Sequence, residues 1–417
     1  MIEVQIKIKN PPVSRLREYK MDNKIGKNAK LLISSDLIYT LTAVFIETFL
    51  VAYFLKVTNE SITTISIYYI LVYTLLSFGS VFMGKIIKKF PTKSKHIMSF
   101  GIVARALFIL LIVLLSDKIA TNYILIAVVY AFSEILYWCA HELIYIDVTN
   151  NNNRKKYMSI KKILGKIVNI VSPIILGTSI EFYSFTKIAV YVFLLSVIQI
   201  VVTLFIKTDI KNEEKTKYDF KKFINYIRHS KLEKIKKYSL SGIAYGIVES
   251  SISTLIIIIT IMTFKTSLNL GILTTIFSIC SMLSLMLYNK FYNKNSAKFI
   301  LSLCSIVVVT GVVGLLINIS KTSLIIYNFC YIVTFCIFDV VYNTRKGDLV
   351  KECGIEKFRE EYIGYTSISI GLGRIIGYIL MLIVSFTTNI ICFKILLAVV
   401  TLFAPIYCYL IIKSLND

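Results

Sequence analysis

Residues 207–238 read KTDIKNEEKTKYDFKKFINYIRHSKLEKIKKY, the longest polar connection in a chain that is otherwise mostly apolar. Before it lie six apolar runs, at about 32–55, 63–84, 97–116, 123–146, 162–180 and 188–206. After it lie six more, at about 238–262, 270–288, 299–318, 324–343, 362–384 and 390–412. A helix needs about 20 apolar residues to cross the hydrocarbon core of a bilayer, and each run meets that length. The runs are apolar all round rather than striped, so their surroundings must be lipid or one another. Six runs on either side of one polar connection predict an all-α integral membrane protein of twelve transmembrane helices, numbered here as spans 1 to 12. Within the connection, Phe220, Phe223, Ile224 and Ile227 fall at i, i+3, i+4 and i+7 with lysines between them. That pattern predicts a basic amphipathic helix lying in the membrane interface, with docking of a soluble partner as the alternative.

Composition agrees. Of 417 residues, 56% are hydrophobic and 17% charged, with five prolines, and the mean hydropathy is +0.73. Soluble domains run at about 45–50% apolar and about 25% charged. Two soluble domains, a disordered chain and a disulfide scaffold are all excluded. The net charge of +23 could point to nucleic acid, but the positions of the basic residues explain it otherwise. Of the 47 Lys and Arg, 38 fall in the two termini and the connections after spans 2, 4, 6, 8 and 10. Only Lys56, Lys118, Lys187, Lys265 and Lys321 fall in the connections of the opposite side. This asymmetry puts both termini in the cytoplasm and the basic face against an anionic inner leaflet. No nucleic-acid partner is needed. The expected organisation is a cytoplasmic tail at 1–31, a six-helix bundle at 32–207, a basic amphipathic linker at 208–237, a second bundle at 238–412 and a short cytoplasmic end at 413–417. The richness in Ile, Lys, Asn and Tyr suggests a bacterial plasma-membrane protein.

The two halves repeat one another. Lys88-Lys89-Phe90 matches Asn289-Lys290-Phe291 at an offset of 201, and Ile46-Glu47 matches Val248-Glu249 at 202. Phe132, Glu134 and Tyr137 match Ile337, Asp339 and Tyr342 at 205, and Leu164-Gly165-Lys166-Ile167 matches Leu372-Gly373-Arg374-Ile375 at 208. The order is kept and the offset drifts slowly. Each unit has an even number of spans, so the copies enter the membrane from one side. They are expected as parallel six-helix bundles related by a pseudo-two-fold axis along the membrane normal.

Twelve spans, a long connection between two six-span halves and a basic loop after span 2 resemble the major facilitator superfamily. The resemblance covers nearly the whole chain. That family carries Gly-x-x-x-Asp-Arg-x-Gly-Arg-Arg after span 2. Here Gly84 takes the first Gly place, Lys89 the Arg place and Lys93 the last basic place, while Lys88 stands for the Asp and Pro91 for the second Gly. Asn289, Lys290 and Lys294 are the corresponding residues of the second half, and the resemblance implies that both loops gate the bundle. It further implies that spans 1, 4, 7 and 10 line a central cavity and that spans 5 and 11 flank it.

A charge near mid-membrane costs about 2.5–3.5 kcal/mol on insertion scales, so such residues read as functional. Glu47, Glu134, Glu249 and Asp339 fall on the four cavity spans, and Lys166 and Arg374 on the flanking two. Glu47 and Glu134, then Glu249, are the expected proton or cation-substrate sites. Asp339 is a gate or capping candidate, Arg374 an anion site or counter-ion, and Lys166 a counter-ion or a side chain snorkelling to the interface. Static ion pairing between the bundles is the competing role. Tyr39, Tyr137, Trp138, Tyr245 and Tyr342 are candidate cavity-lining aromatics, and His141 is a candidate proton relay with Glu134 or Glu142. Arg105 on span 3 has no repeat partner, and packing or a pair with an acid near the inner loops is expected for it.

No phosphate-binding loop, CxxC pair or metal-ligand spacing occurs in the sequence. No enzyme activity, cofactor or metal is expected. The resemblance implies a monomeric secondary active transporter of a small molecule, working by alternating access on a proton or ion gradient. The acid-rich spans favour proton-coupled export of an amphipathic or cationic compound. The alternatives are proton-coupled uptake of a nutrient or anionic metabolite, a flippase for a lipid-linked substrate, and a non-transporting receptor or scaffold. Lipid and the small-molecule substrate are the expected partners.

Overall fold

The computed structural model describes residues 25–59, 61–149, 153–208, 218–229, 232–291, 296–317, 320–387 and 390–416. Twelve helices long and apolar enough to cross a membrane are present among them. In chain order these are α1 (Lys27–Val57), α2 (Ile62–Lys89), α3 (Ser94–Leu115), α4 (Tyr123–Val148), α5 (Arg154–Tyr183) and α6 (Phe185–Leu204). The second six are α7 (Glu233–Phe264), α8 (Ser267–Phe291), α9 (Ser296–Ile317), α10 (Lys321–Glu352), α11 (Arg359–Ser385) and α12 (Ile390–Asn416). A short linker helix, Phe220–His229, stands between the halves.

The helices start and stop where local chemistry directs. Ser61 caps α2 by accepting from the Thr64 N–H at 3.4 Å. Ser320 and Ser323 form a reciprocal capping box at the start of α10. Large apolar side chains such as Phe78, Phe100, Leu114 and Ile317 are more than 60% exposed. On a soluble protein that would be an aggregation hazard. Here it is the lipid-facing surface of the bundles.

Packing within the halves is duplicated contact for contact. In the first half, α1 packs on α5 and α6, α3 on α4 and α6, and α2 on α4. In the second, α7 packs on α11 and α12, α9 on α10 and α12, and α8 on α10. The halves meet along two equivalent seams, α2 with α11 and α5 with α8. This is the arrangement of two parallel six-helix bundles about a pseudo-two-fold axis. A turn of π-helix interrupts α1 at Phe45–Phe49 and α7 at Val248–Ile252, which are equivalent places. Both turns carry a glutamate, Glu47 and Glu249, and such turns inside α-helices are frequent at functional sites.

Several boundaries differ from the sequence expectation. The helix of α1 begins at Lys27, inside the stretch read as tail, α7 begins at Glu233, inside the stretch read as linker, and α12 runs on to Asn416. Helix ends bearing Lys and Glu continue beyond the apolar core because these residues are good helix formers. Residues 1–24 of the expected tail and 209–217 of the expected linker lie outside the described residues. The linker helix also corrects an expectation: its apolar stripe does not lie free for the interface. Phe223 and Ile227 are buried, with the Phe223 ring 5.6 Å from Phe358 and within 6.4 Å of Tyr362 and Tyr365. Aromatic rings at the start of α11 offer that stripe a protein surface.

The seams close through small residues. A Cβ on Gly177 of α5 would stand 2.6 Å from the Ser267 carbonyl and 3.1 Å from Cα of Gly271 on α8. Replacing Gly177 by Val is therefore expected to overpack the α5–α8 seam by about 1–3 kcal/mol. The check is thermal unfolding of the detergent-solubilised protein, where unchanged melting would show that this seam is loose.

Candidate functional site

A cavity of about 720 Å³ lies between the halves. Its deep end is walled by Glu47, Tyr69, Tyr378 and Thr254. Its other end reaches Glu142, Lys346, Arg359 and Glu360, at the basic face of the molecule. Away from that face the cavity is shut. There Leu50–Leu55 of α1 are all buried, packed against the Ser253–Phe264 portion of α7.

Two arginine–glutamate clamps mark the wall. In the first half Arg105 of α3, 1% exposed, donates from Nη1 to Glu134 of α4. Its Nε donates to Thr42 Oγ1 at 3.1 Å, and its guanidinium lies 4.1 Å from the ring of Tyr39. In the second half Arg374 of α11 holds Glu249 of α7 with two parallel bonds, at 2.6 and 2.7 Å. This is the fork geometry in which a guanidinium meets a carboxylate best. Arg374 also lies 4.8 Å from the ring of Tyr73 on α2, across the seam. Beside it Tyr69 and Tyr73 stack on Tyr378 at 4.8 and 5.7 Å.

Glu47 differs from both clamped acids. It lines the cavity and is exposed to it. Among the described residues it makes no hydrogen bond and no ion pair. Thr48, Tyr68, Tyr69 and Tyr130 line the cavity with it.

Other predicted residues fall elsewhere. Tyr39 and Trp138 line the cavity, with the Tyr39 hydroxyl donating to Glu134 and Trp138 Nε1 donating to Tyr39 at 2.9 Å and Glu134 at 3.2 Å. Tyr137, Tyr245 and Tyr342, expected on the wall, are buried behind it, where they stack on other rings. Tyr137 stacks on Tyr39 at 4.3 Å, and Tyr342 on Tyr245 at 4.7 Å. Asp339, the repeat partner of Glu134, is off the wall as well. It accepts from the Tyr245 hydroxyl at 2.9 Å and from Asn343 at 2.7 Å. Among the described residues Lys166 meets no acid: its Nζ donates to Ser281 Oγ at 3.5 Å. His141 bonds to neither Glu134 nor Glu142 but to Asp36, at 2.7 Å. Sequence reading missed Asp36, which follows Ser34 and Ser35 near the start of the apolar run at 32–55, and assigned Arg105 no cavity role because its repeat position carries no charge.

The loop after α2 closes the basic end of the α2–α11 seam with reversed polarity. Lys88, where the family motif has Asp, donates to both oxygens of the buried Glu361 at 3.0 and 3.1 Å and lies 3.4 Å from Glu360. The Asp219 N–H donates to Glu361 at 3.0 Å. Tyr218 fills the notch left by Gly84, whose Cβ would meet the ring at 3.4 Å. Lys89 and Lys93 stand over the Phe90 ring and Lys290 over Phe291, and none of the three pairs with an acid among the described residues. Lys294 and the side chain of Asn289 lie outside the described residues.

A twelve-helix duplicated bundle with a cavity between its halves is the architecture of a membrane transporter. The sequence profile of the Major Facilitator Superfamily matches residues 31–345, and the chain belongs to that family. It is 22% identical over 380 residues to "Uncharacterized protein YqgE" of Bacillus subtilis (strain 168), covering 89% of this chain and 86% of that one. Among solved structures it resembles the nucleoside transporter NupG, with TM-score 0.70 and 14% identity over 94% of this chain and 100% of that chain. It also resembles a bacterial homologue of the iron transporter ferroportin in an inward-facing state, with TM-score 0.66 and 13% identity over 94% and 99%. At these identities the likeness is one of fold.

Removing Lys88 leaves Glu361 buried without its cation, which costs about 3–5 kcal/mol for a buried pair. Lys88→Ala is expected to melt well below the parent protein, and Lys88→Ala/Glu361→Gln to recover much of the loss. Equal melting of the single variant and the parent would mean that the pair does not hold the seam.

Proposed function

We propose that the protein exports small organic cations with an aromatic or amphipathic body, in exchange for protons, through alternating access of its two halves. The observation that carries this reading is Glu47. Of the five glutamates that line the cavity, Glu142 and Glu360 lie toward the basic end, Glu134 and Glu249 are neutralised by arginines, and Glu47 is left free at the deep end, ringed by tyrosines. A lone carboxylate can hold a proton or a cationic substrate, and competition between the two is the simplest form of exchange. The tyrosine faces favour a cation with an apolar body. An anionic cargo, for which Arg374 was the candidate, fits less well, since both of that guanidinium's fork bonds go to Glu249.

On this reading the open end of the cavity faces the cytoplasm, the side from which an exporter collects its cargo. The protein is a multi-pass protein of the bacterial plasma membrane with cytoplasmic termini. It works as a monomer on the proton gradient, with no cofactor and no chemical conversion of its substrate.

The experiment is proton movement in proteoliposomes on addition of a panel of lipophilic and aromatic organic cations, tetraphenylphosphonium among them. Glu47→Gln is expected to abolish cation-driven proton flux, at least tenfold, while keeping the parent melting temperature. Glu134→Gln is expected to lower stability first, because it strands Arg105. Cation transport with unchanged coupling in Glu47→Gln would refute the assignment, and silence of the parent protein across the panel would favour a receptor or scaffold. Efflux against accumulation of the same cations in cells reads the direction.

A further inference from the structure

Six tyrosines line the cavity: Tyr39, Tyr68, Tyr69, Tyr73, Tyr130 and Tyr378. Two of them spend their hydroxyls inside the protein. Tyr39 donates to Glu134, and the Tyr378 hydroxyl lies 2.6 Å from Thr254 Oγ1. The other four, on α2 and α4 of the first half, do not. Tyr68 is 1% exposed, and its hydroxyl has no partner among the described residues. The hydroxyls of Tyr69, Tyr73 and Tyr130 make no hydrogen bond among the described residues either.

The rings do not need these hydroxyls to stay in place. Tyr68 packs on Phe54 at 5.1 Å and Tyr130 on Phe108 at 5.0 Å, while Tyr69 and Tyr73 stack on Tyr378. Phenylalanine would pack as well at each place. The hydroxyls, not the rings, therefore call for a partner. A buried polar group without one is costly, and folded proteins keep few of them. The second half shows the ordinary outcome. Its wall hydroxyls are all spent, those of Ser250, Ser253 and Ser367 on carbonyls of their own helices and that of Thr254 on Tyr378.

The unspent hydroxyls have two charged neighbours. The charge of Glu47 is felt at Tyr69 and Tyr130, and that of Arg105 at Tyr68 and Tyr130. A phenol can donate or accept, whereas a guanidinium only donates. Nη2 of Arg105 is buried and has no partner among the described residues, which tips this corner towards donors. Beside it Glu47 offers a free carboxylate. The wall thus presents an acceptor for a positive charge next to a group of donors that lack an acceptor.

We propose that the cavity selects organic cations that carry an oxygen acceptor, such as a carbonyl or ester oxygen, a few bonds from the charged nitrogen. The nitrogen lies at Glu47, and the oxygen accepts from the hydroxyls of Tyr68 and Tyr130. This assignment narrows the cargo of the proposed exporter and rests on that reading. A cation of bare hydrocarbon displaces water from these hydroxyls and gives them nothing in return, and a site discriminates against a ligand that leaves its polar groups unpaired.

Two cations isolate the oxygen. Benzoylcholine and 4-phenylbutyltrimethylammonium share a benzene ring, a connecting chain of equal length and a quaternary ammonium, and only the first has acceptor oxygens. Each is titrated calorimetrically into the purified full-length protein. The parent is expected to bind benzoylcholine about tenfold more tightly, the worth of one or two hydrogen bonds. The double variant Tyr68→Phe/Tyr130→Phe should bring the two affinities within about twofold by weakening benzoylcholine alone. It should melt no lower than the parent, because the hydroxyls removed hold nothing inside the protein; a lower melting temperature would assign them a structural bond instead. Should the double variant fold poorly, either single replacement is expected to cut the ratio about threefold. Glu47→Gln should weaken both cations alike and keep the ratio. Equal affinities in the parent, or a ratio that survives the tyrosine replacements, would overturn the oxygen subsite and leave the cation reading standing. Binding of neither cation, or affinities unmoved in Glu47→Gln, would overturn the cation reading and the subsite with it.

Discussion

An ionised side chain inside an apolar bundle is costly unless its opposite charge is in place, and this constraint ties helices of the bundle together at four points. Arg105 is tied to Glu134, Arg374 to Glu249, Lys88 to Glu361, and Asp36 to Lys161 and His141. Each tie joins two different helices, so the same bonds that neutralise charge also fix which helices move together. At the deep end of the cavity the acid left out of this scheme is Glu47, on a turn of π-helix in α1. An open-ended cavity lets water solvate that carboxylate, which a closed apolar core would not.

The fold was legible in the sequence because its signals are long and redundant. Twelve apolar runs, the polar stretch at 207–238 and the one-sided lysines each depend on many residues, so misplacing one boundary by four residues changes nothing. The identities of the membrane acids were legible too, since a glutamate in an apolar run is conspicuous. Their partners were not. Repeat logic linked Lys166 with Arg374 by position, yet the cation that neutralises Glu134 comes from α3, at a place where the second half has no charge. A duplication preserves backbone geometry through shared packing. It does not preserve side-chain partners, because one substitution can move a charge to another helix facing the same point. Asp36 escaped notice for a different reason: next to Ser34 and Ser35 near the start of the first apolar run, an acid reads as a solvated residue until Tyr137 and Tyr157 are seen to cover it.

The reversed ion pair at the basic end follows the same logic. The family's loop motif places an aspartate where this chain has Lys88, and the sequence alone offered no replacement partner. The replacement lies on α11, where Glu360 and Glu361 supply the acid that α2 lacks. What the seam needs is opposite charge across it, and either helix can carry either sign. Strapping of Tyr218 and Phe223 over this point adds a third chain segment to the closure. Relative movement of α2 and α11 must therefore either carry the linker with it or peel the linker away.

The two arginine clamps are placed differently with respect to that movement. Arg105, Glu134, Thr42 and Tyr39 all belong to the first half, so their contacts survive any rigid rocking of one half against the other. Arg374 and Glu249 both belong to the second half, but the guanidinium rests on Tyr73 of the first, and Tyr378 is sandwiched with Tyr69 and Tyr73 beside it. Rocking that opens the α2–α11 seam separates Arg374 from Tyr73 and exposes stacked rings, while leaving the Glu249 fork intact. The asymmetry of charge on a symmetric scaffold thus divides labour. One clamp lies wholly within the first half, and the other touches both halves, with Glu47 in the same cavity between them.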